Sequence, residues 1–235
     1  MSKFLVRSNL NTMSSVIELI NVAEFDGDGL DIMGTDGFND LEGSNLADLI
    51  QAKGGSDFID ARGGSDLIDA GLGNDFVYAG TGNDSVLGGG GSDIIFGEQG
   101  DDVIAGEQGN DVIFGGKGDD IVYGGEGDDT VLGGRGDDTV IGSLGNDVLF
   151  GGKGNDVFEF SAGELDSKFV NRVQDFQIEE DSLVIKGLSS DDQVSLDPST
   201  GHLSVNDDAV IMLKNMDSSA ELSMEFNEDG EFEIM

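Results

Sequence analysis

The chain has 235 residues and a formal net charge of −38, with 49 acidic residues against 11 basic ones. That imbalance argues against nucleic acid or an anionic membrane surface as a partner, and the length allows one or two small domains. Cysteine is absent, which removes disulfides and thiol chemistry, and no segment approaches the length of an apolar membrane span.

In chain order, residues 1–24 carry one apolar cluster, Val16-Ile17-Glu18-Leu19-Ile20-Asn21-Val22. An N-terminal cap over the first turn of the following repeats is expected here, with an assembly or anchoring segment as the alternative. Met1–Leu10 has no long apolar run and so no secretory signal is visible. Residues 25–51 hold three eroded copies of a nine-residue unit, with Ile32, Leu41 and Ile50 at its eighth place. Asn39 stands where the regular unit has Asp, and Leu46 where it has Gly. Asp26, Asp28 and Asp31 lack the spacing and distal Glu of an EF-hand loop.

Residues 52–159 repeat that unit twelve times without insertion or deletion, as in GGKGDDIVY (Gly115–Tyr123) and GGEGDDTVL (Gly124–Leu132). Position 4 is always Gly: Gly55, Gly64, Gly73, Gly82, Gly91, Gly100, Gly109, Gly118, Gly127, Gly136, Gly145 and Gly154. Position 6 is always Asp: Asp57, Asp66, Asp75, Asp84, Asp93, Asp102, Asp111, Asp120, Asp129, Asp138, Asp147 and Asp156. Position 8 is always apolar, from Ile59 to Phe158. A fixed period of this kind predicts a solenoid, in which a unit too small to bury a core stacks on its neighbours. Positions 7–9 read as a three-residue strand whose middle side chain faces inward. Two units make one right-handed coil, and coils stack about 4.8 Å apart in an all-β, parallel β-roll.

Stacking sets each Asp beside the Asp two units away. Carboxylates about 5 Å apart repel by about 0.8 kcal/mol per pair even in water, and by more when partly buried. A divalent cation between successive turns reverses the sign of that term. Glycine-rich turns also aim main-chain carbonyls at a common centre, and carboxylate plus carbonyl oxygen suits calcium. The expected ligands are the position-6 aspartates with the carbonyls of Gly73, Gly82, Gly91, Gly100, Gly109, Gly118, Gly127, Gly136, Gly145 and Gly154. The same-edge pairs number about ten, giving about ten calcium ions and a residual charge near −18. Without calcium the charge favours disorder. Ala52, Ala61, Ala70 and Ala79 replace Gly at position 1, and Lys53, Arg62, Glu98, Glu107 and Ser143 at position 2. Those turns are expected to bind more weakly, and the eroded copies in 25–51 little or not at all.

The unit resembles the glycine- and aspartate-rich nonapeptide of RTX (hemolysin-type) proteins, a calcium-binding parallel β-roll. The resemblance covers 108 of 235 residues. It implies calcium held by turn carbonyls and the position-6 Asp, and export by a type I system without an N-terminal signal peptide. An extracellular or cell-surface location follows from it, and exposed modular calcium sites are usually tuned to roughly 10⁻⁴–10⁻³ M, an extracellular concentration. It says less about role, since such rolls accompany proteases, lipases, toxins, adhesins, epimerases and surface-layer proteins.

Beyond Glu159 the sequence becomes glycine-poor and alternating: Phe169-Val170, Val173, Phe176 and Ile178, then Leu183-Val184-Ile185. Leu203 and Val205 follow the turn at 197–201, Val210–Leu213 supplies another strand, and a hairpin turning at 227–230 joins Met224 and Phe226 to Phe232 and Ile234. Residues 160–235 read as a small antiparallel β cap. The segment Val173–Leu183 resembles the one that follows the roll in secreted RTX proteases, and the last five residues resemble the acidic-then-apolar tail of type I substrates.

Catalysis is not expected. The single histidine, His202, flanks a turn, and no zinc-protease, nucleophile-elbow or phosphate-loop motif is present. Two outward features stand apart from the metal turns. Positions 7 and 9 of the odd copies carry Phe58, Phe76, Tyr78, Ile94, Phe96, Val112, Phe114, Leu132, Val148 and Phe150, a patch that a monomer seldom leaves uncovered. The terminal segments or a partner, including a second copy, would cover it. Lys117, Arg135 and Lys153 recur at position 3, eighteen residues apart, and stack on one edge. Charge compensation by Asp119 and Asp137 competes there with contact to an acidic polysaccharide. The leading expectation is a calcium-binding structural protein of a bacterial surface or matrix that assembles from many copies; the alternatives are a stand-alone carbohydrate-binding roll and an export module left from a larger enzyme.

Overall fold

The structure is a computed structural model that describes residues 29–165, 170–178, 180–189, 192–197, 199–206, 208–214, 224–226 and 232–234. The apolar cluster at 16–22 lies outside the described residues, as do Asp26, Asp28 and Phe169. Five strands of three residues open the fold: β1 (Asp31–Met33), β2 (Asp40–Glu42), β3 (Leu49–Gln51), β4 (Phe58–Asp60) and β5 (Leu67–Asp69). Nine strands of six follow: β6 (Phe76–Thr81), β7 (Ser85–Gly90), β8 (Ile94–Gln99), β9 (Val103–Gln108), β10 (Val112–Lys117), β11 (Ile121–Glu126), β12 (Thr130–Arg135), β13 (Thr139–Leu144) and β14 (Val148–Lys153). The last eight are β15 (Val157–Ser161), β16 (Asn171–Val173), β17 (Ser182–Lys186), β18 (Val194–Asp197), β19 (His202–Val205), β20 (Asp208–Leu213), β21 (Met224–Phe226) and β22 (Phe232–Ile234).

These strands form two sheets of eleven. Odd strands β1 to β17 make one and even strands β2 to β16 the other, each pairing in parallel with the strand two places on. Register is one full coil: Ile95 pairs with Ile113, and Ile113 with Val131. The position-8 side chains fill the space between the sheets and are essentially inaccessible from Ile59 to Phe158. A coil of eighteen residues thus buries two branched side chains at this position, each contributing roughly 1.5–3 kcal/mol. That is a thin core, so the electrostatic terms of the turns carry unusual weight.

The strands are longer than the three residues read from the sequence. From β6 onward pairing resumes at positions 2 and 3 of the next unit, as in Gly116↔Gly134 and Lys117↔Arg135. The turns are themselves bonded coil to coil, with the Gly100 N–H donating to the Lys117 carbonyl at 2.8 Å. The parallel stack also continues past Glu159, where the sequence placed the start of an antiparallel cap. Leu149 pairs with Val173, Phe158 with Leu183, and Asn171 with Ile211, all in parallel. The antiparallel part is smaller: β18 and β19 on β20 at one sheet's end, β21 and β22 on β17 at the other's. Phe232 and Ile234, from the tail segment, are buried core residues there. His202 begins β19 opposite Asp197, half-buried.

Candidate metal centre

The turn that precedes each strand is shaped by two left-handed positions. Position 4 has φ between 119° and 144° in all twelve copies, a region open only to Gly. A Cβ there would also strike the preceding coil: on Gly118 it would run into the Gly100 carbonyl. Position 2 is left-handed too, but its non-Gly occupants Lys53, Arg62, Glu98, Glu107 and Ser143 lie at φ 71–76°, which L-residues tolerate. One position is therefore invariant in sequence and the other is not.

These turns bring the position-6 aspartates into two columns. From Asp57 to Asp138 the N–H of each donates to the Oδ1 of the Asp one coil later: Asp57 to Asp75 at 2.7 Å, Asp93 to Asp111 at 2.8 Å, Asp120 to Asp138 at 2.9 Å. All twelve side chains are at most 2% exposed. Their second oxygen, Oδ2, is buried in every one of them without a hydrogen-bond partner. Burial pushes the acids upward: Asp66, Asp102, Asp138 and Asp147 to about 6, Asp93, Asp129 and Asp156 to about 7, and Asp84 and Asp120 to about 8. Asp75 and Asp111 move the same way. In each case the donated main-chain N–H opposes burial without cancelling it.

The orphan oxygens are specific to the regular array. In the eroded copy Asp48 Oδ2 accepts the Ser44 N–H at 2.6 Å, and Asn39 Oδ1 accepts that of Thr35 at 2.7 Å. At the other end Asp181 Oδ2 accepts the Gln177 N–H at 2.7 Å. The protein closes these outer corners with its own donors and leaves the twelve between them without one.

Position-1 carbonyls of the next coil share a small space with the orphan oxygens. A Cβ built on Gly97 would lie 2.5 Å from both Asp102 Oδ2 and the Gly115 carbonyl oxygen; on Gly115 the values are 2.5 Å and 2.7 Å, to Asp120 Oδ2 and the Gly133 carbonyl. The position-4 carbonyls named from the sequence instead point at the position-4 Cα of the next coil, as Gly55 does at Gly73. Calcium takes roughly six to eight carboxylate and carbonyl oxygens. An all-oxygen cradle holding a buried, partnerless carboxylate oxygen fits such an ion. No three acid or imidazole groups among the described residues close on one point, so main-chain carbonyls would complete the donor set.

Sequence reasoning missed how the columns end. The N–H of Asp147 donates to Asn171 Oδ1 at 2.9 Å, that of Asp156 to Asp181 Oδ1 at 3.1 Å, and that of Gly151 to Asp175 Oδ1 at 3.0 Å. Spacings of 24 and 25 residues replace 18 in these rungs, and Asp181-Ser-Leu183 keeping the Asp-x-apolar order was the available signal.

The RTX calcium-binding nonapeptide repeat (4 copies) matches residues 42–77, 69–104, 96–131, 105–140 and 132–164, together just over half of the chain. This chain belongs to that RTX family. Its repeats bind calcium, and the two columns of this RTX β-roll present buried, partnerless carboxylate oxygens that suit such an ion. No curated protein matches the chain.

A second set of side chains stacks outside the columns. At position 5 the N–H of Asp119 donates to Asp101 Oδ1, that of Asp137 to Asp119 Oδ1 and that of Asn155 to Asp137 Oδ1, at 2.8–2.9 Å. This outer ladder runs opposite to the inner one. Lys117, Arg135 and Lys153 share its edge in adjacent register, all exposed, and make no ion pair with Asp119, Asp137 or any other described residue. On the even-strand sheet the rings stack along the fold: Phe58 on Phe76 at 5.9 Å, Tyr78 on Phe96 at 5.1 Å, and Phe96 on Phe114 at 4.7 Å and 4°. The rings half-bury one another, and Phe58 at the end remains exposed.

Proposed function

We propose that this RTX β-roll is a secreted structural protein of a bacterial surface or matrix that folds on calcium and assembles with copies of itself, without catalytic activity. The observation that carries the reading is the row Tyr78, Phe96, Phe114, Leu132 and Phe150, in register from strand to strand on the outer face of one sheet. Phe76 packs beside it, its ring tilted against Tyr78 and Phe96. The row exists only when the coils are stacked, so assembly through it requires calcium. Membership of the RTX family supports export, and no helix among the described residues is long and apolar enough to cross a membrane. The test is light scattering of Phe96→Ser with Phe114→Ser in calcium. Wild type should assemble and the double variant stay monomeric; a monomeric wild type, or equal assembly of both, refutes the aromatic interface.

A second reading is a carbohydrate-binding module. It is favoured by the basic row Lys117, Arg135 and Lys153, because the neighbouring Asp119 and Asp137 direct Oδ1 to main-chain N–H groups and leave the cations unpaired. Retention of an acidic polysaccharide by the calcium-loaded monomer, lost in Lys117→Ala with Arg135→Ala, distinguishes it.

A further inference from the structure

The calcium reading leaves open whether twelve similar turns make equivalent sites. Position 1 separates them. From Gly88 to Gly151 this position is Gly, and none of these glycines is left-handed, so backbone strain does not demand the residue. From Gly88 to Gly124 what demands it is the oxygen pair beside it. A Cβ on Gly88 would lie 2.7 Å from Asp93 Oδ2 and 2.8 Å from the Gly106 carbonyl oxygen, and one on Gly124 2.5 Å and 2.8 Å from Asp129 Oδ2 and the Gly142 carbonyl. A methyl carbon needs more room than that from oxygen, whereas a calcium ion bonds at roughly 2.3–2.6 Å.

The first four regular turns hold such a methyl. Ala52, Ala61, Ala70 and Ala79 are fully buried and belong to the apolar core. The two oxygens cannot close on the same point in those turns while the methyl is there. A second observation marks two of these turns, at Ala61 and Ala70, which follow β4 and β5, whereas the Ala79 turn already lies within β6. β4 and β5 stop at position 9, and only isolated bridges, Gly54↔Leu72, Gly63↔Thr81 and Leu72↔Gly90, continue the pairing into the turns. From β6 onward the turns pair as part of continuous strands.

We propose that the array is graded along the chain: the cradles opened by Gly88, Gly97, Gly106, Gly115 and Gly124, where a carboxylate and a facing carbonyl oxygen meet, form the tight calcium sites, and the four alanine turns before them are weak. The orphan Oδ2 atoms of Asp57, Asp66, Asp75 and Asp84 still attract a cation, but with the methyl between them and the facing carbonyl. Calcium therefore fills the glycine part first.

This rests on the calcium reading, and a calcium titration of the whole chain by calorimetry, with bound ions counted by equilibrium dialysis, tests the two separately. Wild type should retain about five tight ions, with any further ions at least about tenfold weaker. Ala52→Gly with Ala61→Gly, Ala70→Gly and Ala79→Gly should raise the tight count to about nine. Gly106→Ala with Gly124→Ala, neither of them at a left-handed position, should lower it by about two and covers the case in which the quadruple variant does not fold. About ten equivalent sites in wild type, or a count unmoved by these substitutions, overturns the grading and leaves calcium binding intact. No calcium bound by any form overturns both.

Discussion

The main-chain N–H of Asp93 donates to Asp111 Oδ1 at 2.8 Å, while Asp111 Oδ2 is buried with no partner at all. One oxygen of the carboxylate is structural and the other is left for a cation. Asp111→Asn keeps an acceptor for Asp93 and removes the charge. It should eliminate the two ions shared with the neighbouring Asp93 and Asp129 rungs, read as a fall of about two in bound calcium. An unchanged count would show that the column is not the ligand set.

The same geometry makes folding depend on the metal. In a chelator the repulsion along both columns is uncompensated, and the chain should be largely disordered; millimolar calcium should restore β structure cooperatively, with magnesium a poor substitute because it holds its waters and demands octahedral geometry. Far-UV circular dichroism in chelator, calcium and magnesium decides it. Identical spectra in the first two conditions would contradict the account.

Protons should partly replace calcium. The raised carboxyl values of about 6 to 8 lie above the ordinary carboxylate value near 3.9. A raised folded-state pKa gives stability that is fully present below the unfolded value and lost as pH rises through the folded one. The chelated protein should therefore carry more β structure at pH 5 than at pH 8. Calcium must displace those protons, so its affinity should fall over the same interval as pH is lowered. Dichroism of the chelated form at both pH values, with calcium titrations alongside, tests both signs.

The two left-handed positions should respond differently to substitution. Gly118→Ala places a Cβ against the Gly100 carbonyl at φ 121° and should cost at least about 2 kcal/mol. Gly116, at φ 126° with the Glu98 carbonyl in the way of a Cβ, can escape by rotating to the 71–76° that five copies already use, so Gly116→Ser should cost less, about 1 kcal/mol. Thermal melts in saturating calcium compare them; equal shifts would mean that conformation does not explain the invariance.

Much of this was legible because each column of the repeat answers to a single requirement. An Asp at every position 6 and an apolar residue at every position 8 fix the two carboxylate columns and the core from Ile59 to Phe158. The aromatic row could be read as well, since alternate copies must lie on alternate sheets. What escaped depends on three-dimensional closure. Asn171 and Asp181 extend the columns at spacings six or seven residues longer than one coil, and a fixed period cannot follow an insertion. That Ser44 satisfies Asp48, where no such donor reaches Asp111, depends on a main-chain N–H, which no side-chain pattern records. Likewise the directions of the position-1 and position-4 carbonyls are set by the backbone and are not recorded in any side chain.

Because successive copies alternate between sheets, the unit that can be cut or duplicated without consequence is eighteen residues, not nine. Excising residues 115–123 would leave every Gly and Asp in phase and the solenoid closed. It would nevertheless carry Leu132 and Phe150 to the opposite sheet, breaking the row after Phe114, and move Arg135 and Lys153 to the other edge. Excising 115–132 shortens the fold by one coil and leaves both outer faces aligned. A lineage that lengthens or trims this gene by single repeats keeps its metal and scrambles its surface.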